Sequence, residues 1–360
     1  MRIARTAAAL PAVLALAACS AIGAGGGDGP TSAGTTTGGT VTLLTHGSFA
    51  LADGLLDEFT AATGYTVELV ELGDGGSLVN QLVLTKDAPL GDAVFGIDNT
   101  FASRALDEGV VVPPSAPLAA AAAKDAAKYA VAGDDEGALT AIDLGDVCVN
   151  VDHAWFAAHG LAEPVTLDDL TRPEYKDLFV TPSAATSSPG FAFFLATVGA
   201  YGEDGWEGYW KALRGNGVTV VEGWEDAYYT DFTAGSETGT RPIVLSYASS
   251  PPYTVPEGGD EPTTGALLDT CFRQVEYAGV LAGAKNPAGA AALIDFLLSD
   301  QVQADVPASM YMYPVSSAVT VPADWAQWAP LATTPFEVPA GEIAASREAW
   351  LTRWSDTVLG

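Results

Sequence analysis

The chain has 360 residues, with 15 Lys and Arg against 45 Asp and Glu, a net charge of −30 and three cysteines. So large an acidic excess excludes nucleic acid as a partner, because phosphates demand the opposite sign, and it weakly favours the approach of cations. Cys-x-x-Cys, His-Glu-x-x-His, Gly-x-Ser-x-Gly and phosphate-loop patterns are absent from the sequence, which leaves no familiar catalytic or metal motif to build on.

Arg2 and Arg5 precede an apolar stretch, 7–15, that is too short to span a bilayer. Leu16-Ala17-Ala18-Cys19 closes it and resembles the bacterial lipobox, in which the cysteine is lipidated and becomes the mature N-terminus. Residues 1–18 are thus expected to be a lipoprotein signal peptide. Acyl chains contribute roughly 0.8 kcal/mol per buried CH₂, so Cys19 would hold the body at the outer face of the cytoplasmic membrane. The remainder of 19–40 is almost all Gly, Ser, Thr and Ala, a flexible tether. A body of about 320 residues follows, and that size favours two lobes over one ordinary domain.

The body opens with a strand at 41–45 and a helical pattern through Leu55, Leu56 and Phe59 that Gly64 stops. A strand at 67–70, a helix at 77–85, a strand at 93–97 and a helix at 100–106 continue the alternation. This order predicts a parallel sheet with helices on its faces. Ligands of such sheets sit at the C-terminal strand ends, here the loops 45–50, 73–77 and 98–100. An Ala/Lys helix is expected at 119–128. From about Asp143 a second α/β region begins, with strands at 179–180, 218–221 and 243–246 and a helix at 191–198. Residues 272–281 form a long β-like segment suited to returning the chain to the first lobe. Helices at 288–298 and 342–354 close the chain. Lobe 1 is therefore read as 41–143 plus 277–360, and lobe 2 as 144–276. Cys148 and Cys271 can pair or stand as separate buried thiols, and an exported location favours the pair.

Three loop-to-helix junctions suit an oxygen-rich ligand end: 73–77, 187–190 and 246–251. Free N–H groups at a helix start, together with hydroxyls, bind a hydroxyl or a phosphate; the competing role of the same residues is helix capping. Trp224, Tyr247, Tyr253 and Tyr311 lie outside helical spacing. Flat aromatic walls of this kind suit a flat cationic heterocycle, at about 2 kcal/mol per desolvated cation–π contact. The other tryptophans read as packing.

The body resembles the thiamine-binding proteins of bacterial ATP-driven (ABC) importers. The resemblance rests on Ser48-Phe49, Asp74-Gly75-Gly76-Ser77-Leu78, Gly96-Ile97-Asp98-Asn99, Ser188-Pro189-Gly190, Val221-Glu222-Gly223-Trp224, the run from Leu245 to Pro251, and Met312-Tyr313-Pro314-Val315, in that order. It implies an α/β, two-lobed type II periplasmic binding protein, each lobe a mainly parallel sheet flanked by helices, with the ligand cleft between them. It further implies that Asp74, Gly75, Ser187, Ser188, Trp224, Tyr247, Ser249, Ser250 and Pro251 line that cleft, with Tyr253 and Tyr311 as further aromatics. His46 stands where the family has a tyrosine, and Leu144 follows Asp143 where another is expected; both bear on ring packing. Thiamine or its phosphates would be the ligand and an ABC permease the partner. The protein would be a monomer that needs no cofactor or metal and is not an enzyme. Two alternatives keep the same architecture. A ferric-ion binder would use phenolates such as those of Tyr228-Tyr229. A thiamine-cleaving enzyme would need a reactive cysteine, for which the apolar, strand-like surroundings of Cys148 and Cys271 are ill suited.

Overall fold

The computed structural model describes residues 38–360; the expected leader, Cys19 and nearly all of the tether lie outside them. The first part of the body alternates β1 (Gly39–Thr45), α1 (Leu55–Thr63), β2 (Tyr65–Glu71), α2 (Gly75–Leu84), β3 (Ala93–Asp98) and α3 (Ala102–Asp107). Gly64 ends α1 in a left-handed cap whose N–H bonds back to the Thr60 carbonyl. β4 (Val111–Val112) and the short α4 (Ala123–Ala126) lead to β5 (Leu139–Asp152), then α5 (His153–His159), β6 (Phe179–Pro182), α6 (Ser188–Tyr201), α7 (Trp206–Gly215) and β7 (Thr219–Val221). The chain continues through α8 (Trp224–Asp226), β8 (Ile243–Tyr247), β9 (Thr264–Ala266) and β10 (Phe272–Leu281). It closes with α9 (Pro287–Leu297), α10 (Asp300–Ser309), β11 (Tyr313–Pro314), α11 (Trp325–Trp328) and α12 (Ala340–Val358).

The Ala/Lys helix expected at 119–128 is only α4 and one 3₁₀ turn, Ala127–Tyr129. The Asp295 carboxylate accepts the N–H groups of Ala119 (2.6 Å) and Ala120 (2.8 Å). Those two donors are held by α9 instead of by a helix of their own.

The strands hydrogen-bond into one sheet in the order β2-β1-β3-β10-β5-β8-β6-β7. β2, β1 and β3 run parallel at one end, and β7, β6 and β8 run parallel at the other. β5 and β10 lie antiparallel between the two triads, each with an irregularity in its pairing. Two parallel triads joined through this long pair make a two-lobed architecture. All fourteen residues of β5 are buried, as expected for a strand covered on both faces. Cys148 in β5 and Cys271, just ahead of β10, are joined by a disulfide.

α6 is buried continuously from Ser188 to Val198 and is apolar on all sides, so it serves as a core helix. Phe194 packs edge-on against Trp206, and Trp210 against Trp354. α12 is tied to the neighbouring turn of α7: Trp350 Nε1 donates to Glu203 at 2.6 Å, and Arg353 pairs with Glu203 and Glu207. Trp206, Trp210, Trp325, Trp350 and Trp354 are fully buried.

Candidate functional site

A cavity of about 830 Å³ opens between the C-terminal ends of β1 and β2 on one side and the loops after β6, β7 and β8 on the other. That is the size class of small-molecule sites. Two of the three expected loops supply its wall, 45–50 and 73–77. The third does not reach it. Asp98 and Thr100 are fully buried, while Asn99 locks β10 by accepting from Val275 N–H and donating to the Arg273 carbonyl.

Asp74 organises the junction of three segments. Its Oδ1 accepts from Gly75 N–H at 2.6 Å and Ser188 N–H at 3.1 Å, and its Oδ2 accepts from Trp224 N–H at 2.9 Å. One carboxylate thereby caps α2, holds the first residue of α6 and receives the start of α8. Burial raises its pKa, opposed by the hydrogen bonds from Trp224, Ser187, Gly75 and Ser188. The approach is close enough to require glycine at 75: a Cβ there would lie 2.2 Å from Ser188 Oγ and 2.9 Å from Ser188 Cβ. Capping and cleft lining, posed by the sequence as competing roles, are here one role. The Gly75 N–H, one of the donors of the 73–77 junction expected to meet an oxygen-rich ligand end, is engaged by Asp74.

Trp224 begins a helical turn instead of extending a strand, and its indole Nε1 donates to Ser246 Oγ at 3.0 Å. Ser246 and Ser250 share a hydrogen bond of 2.8 Å. The indole stacks on Tyr228 (5.1 Å between centroids) and meets Tyr229 and Tyr247 edge-on. Tyr228 is buried behind Trp224, whereas Tyr229 is half exposed on the cavity wall. Burial raises the pKa of both phenols.

The cavity floor is polar and deeply buried. Tyr247 OH donates to Gln274 Oε1 at 3.1 Å, Gln274 Nε2 donates to Glu276 Oε1 at 3.3 Å, and His46 Nε2 lies 3.3 Å from the same oxygen. Burial lowers the His46 pKa, but the Glu276 charge and the charges of Asp74 and Glu225 outweigh it, so the imidazole holds its proton more tightly than usual. Glu276 is raised by burial, but His46 together with the hydrogen bonds from Asp143 and Gln274 brings it below its ordinary value. Asp143, on β5 beside it, is pushed well above the carboxylate range by burial and by the Glu276 charge. The His46 ring packs on Phe95 and fits only because Gly96, at φ +99°, has no side chain; a Cβ would lie 2.2 Å from His46 Cδ2.

Eight expected residues lie on the wall: His46, Asp74, Gly75, Ser188, Trp224, Tyr247, Ser250 and Tyr311. Four stand behind it. Ser187 caps α6 through Gly190 N–H, Ser249 Oγ donates to the Tyr311 carbonyl at 2.5 Å, and Pro251 is buried in a 3₁₀ turn. Tyr253 packs its ring 3.7 Å from that of Tyr311 and donates to the Pro307 carbonyl. Tyr311 holds a left-handed φ of 59°, a conformation a large side chain keeps only when its surroundings impose it. The sequence reading missed Glu71, Glu222, Glu225, Gln274 and Glu276 on the wall. Glu71 and Glu222 were within its reach, since each follows or ends a strand of the parallel triads. Gln274 and Glu276 lie mid-strand and carried no local signal. Among the described residues no three His, Cys, Asp or Glu side chains form a group that could hold a metal ion.

Residues 91–337 match the family described as bacterial extracellular solute-binding proteins. The thiamine-binding periplasmic protein of Escherichia coli (strain K12) is 30% identical over 328 residues, 88% of this chain and 93% of that one. A solved structure of a periplasmic thiamin binding protein superimposes with a TM-score of 0.75 at 28% identity, covering 89% of this chain and 96% of that one. A ferric binding protein from Campylobacter jejuni superimposes with a TM-score of 0.67 at 14% identity over 88% and 99% of the two chains; at that identity the likeness concerns the fold alone.

Proposed function

Since the chain belongs to the bacterial extracellular solute-binding proteins, we propose that it captures thiamine in the cleft and delivers it to the permease of an ABC importer. The carrying observation is the wall itself. Trp224, Tyr229, Tyr247 and Tyr311 offer aromatic faces beside the partly buried Asp74 and the buried Glu276, the combination that holds a flat organic cation. Similarity over nearly the whole length of relatives named for thiamine supports the same ligand. The lobes are taken as 41–143 with 277–360, and 144–276. The protein acts as an exported, monomeric carrier held at the membrane by lipid on Cys19, and it leaves its ligand chemically unchanged.

Calorimetric titration of the purified protein with thiamine and, separately, with ferric ion tests the ligand. We expect saturable one-to-one thiamine binding, full recovery of thiamine after incubation and no iron uptake. Iron binding without thiamine binding would replace this reading with the ferric one, and loss of thiamine on incubation would make the protein an enzyme. For the anchor, Cys19→Ser is expected to move the protein from the membrane fraction into the medium.

A further inference from the structure

Resting on the thiamine reading, we infer that Asp98 and Asp143 determine specificity for a cation by acting through Glu276, holding protons in the free protein and releasing them as the ligand's positive charge enters. The sheet builds the arrangement. Glu276 on β10 lies directly opposite Asp98 on β3 and Asp143 on β5, and residues directly opposite on antiparallel strands project to the same face. The three side chains form a buried row across the middle of the sheet, and of the three Glu276 alone lines the cavity.

The row has one cation in contact with it. His46 Nε2 lies 3.3 Å from Glu276 Oε1, and one imidazolium balances one carboxylate. Further unpaired charge in a buried site is costly, so the two neighbours hold protons instead. Asp143 shares its proton with Glu276 in a hydrogen bond. Asp98, whose Oδ2 has no partner, is pushed up to about 7. The surrounding elements do not neutralise the row. Asp74 at the start of α2 and Glu225 on α8 add negative charge around His46. Tyr247 on β8 and Tyr277 on β10 are phenols kept neutral by burial. Arg347 on α12 acts on Asp98 without bonding to it: its guanidinium lies over the Phe101 ring at 4.3 Å and donates to Glu348. A thiazolium is a permanent cation with no proton of its own to lose. Seated against Glu276, within about 8 Å of the row, it favours loss of a proton by more than about tenfold at an effective dielectric of about 20. The same charge opposes the proton on His46, so every group of the floor responds in one direction. The site gains negative charge as the cation arrives, and a neutral ligand of the same shape has nothing to draw the protons out.

The test is calorimetric titration of the full chain with thiamine at about pH 7 in buffers of different ionisation enthalpy, which counts the protons exchanged on binding. Affinities measured from about pH 6 to about pH 8 accompany it. Binding should release protons, and affinity should rise with pH by up to about tenfold per pH unit for each proton released. A thiamine analogue whose cationic ring is replaced by a neutral thiophene should bind without release. Asp98→Asn and Asp143→Asn should each bind thiamine with a smaller release; should Asp143→Asn not fold, Asp98→Asn, which keeps the oxygen that accepts from Thr100 and Phe101, carries the comparison. Thiamine binding with no proton release and a pH-independent affinity overturns the coupling and leaves the thiamine reading standing. Equal release with the neutral analogue overturns the ligand's charge as its cause, and undiminished release in the folded variants overturns the assignment to Asp98 and Asp143. If a cooperatively melting protein binds no thiamine, the thiamine reading fails and the coupling with it.

Discussion

The Asp74 carboxylate meets backbone donors from three segments, and an amide cannot replace it. An asparagine in its place would offer one acceptor oxygen and turn its NH₂ toward the Trp224 N–H. We expect Asp74→Asn to lower stability by about 1–3 kcal/mol, the range for leaving buried donors unsatisfied, and to weaken thiamine binding as well. Thermal unfolding that superimposes on wild type would show these bonds to be dispensable. Trp224 is the complementary case, since its indole supplies ring face to the cavity. Trp224→Ala should weaken thiamine binding by about 2 kcal/mol and abolish any thiamine-dependent quenching of fluorescence, both read in one fluorimetric titration. Asp98 contributes a pH dependence of its own. Burial outweighs its hydrogen bonds from Thr100 and Phe101 and, with the nearby Glu276 charge, raises its pKa from 3.8 to about 7. A native carboxyl that binds its proton more tightly than the unfolded chain adds stability that is full below pH 3.8 and lost as pH rises through about 7. An asparagine at this position would keep the oxygen that takes all three donors, since Oδ1 of Asp98 accepts each of them and Oδ2 has no partner. The stability of Asp98→Asn relative to wild type should therefore grow across that window, with a slope of at most about 1.4 kcal/mol per pH unit. Denaturant titrations from pH 4 to 8 that stay parallel would refute this.

At the level of elements, β5 and β10 carry the molecule's continuity. Their antiparallel ladder joins the two parallel triads, and the Cys148–Cys271 disulfide, 123 residues apart in sequence, fastens one end of it. Asp146 beneath that end pairs with Arg273 and accepts the Ala332 N–H at 2.6 Å. Replacing both cysteines by serine should cost about 2–5 kcal/mol while leaving thiamine affinity within about twofold, because neither sulfur reaches the cavity wall. Denaturant midpoints and affinities of the two forms check this, and unreduced wild-type protein should show no free thiol at either position by mass spectrometry. The junction of α2 with α6 is the other element-scale feature. Its signal, glycines and hydroxyls at two helix starts, was legible locally. That the two starts face each other at the distance Gly75 permits was not, because no local pattern encodes a contact across more than a hundred residues.

For the whole molecule, a ligand that binds only the folded chain stabilises it by mass action. Thiamine at a hundredfold excess over its Kd should add about 2.7 kcal/mol, seen as a rise in Tm that grows with the logarithm of concentration; a Tm indifferent to thiamine would contradict the proposed function. The sequence by itself determined the alternation of strands and helices, two of the three expected cleft loops, the two cysteines and the aromatic residues that lie outside helical spacing. These follow from periodicity, turn chemistry and composition, which act over a few residues at a time. Only the tertiary structure decided which of those residues face the cavity. Ser187, Ser249 and Tyr253 turned out to support the wall from behind, since each satisfies a backbone group that folding had buried. Glu276, mid-strand in β10, reached the floor because the pairing of β10 with β3 and β5 set it beside Asp98 and Asp143. The Asp74–Trp224 bond closes a loop of 150 residues. Contacts of that span depend on strand order and register, which are set by burying both lobes at once and are written in no single segment.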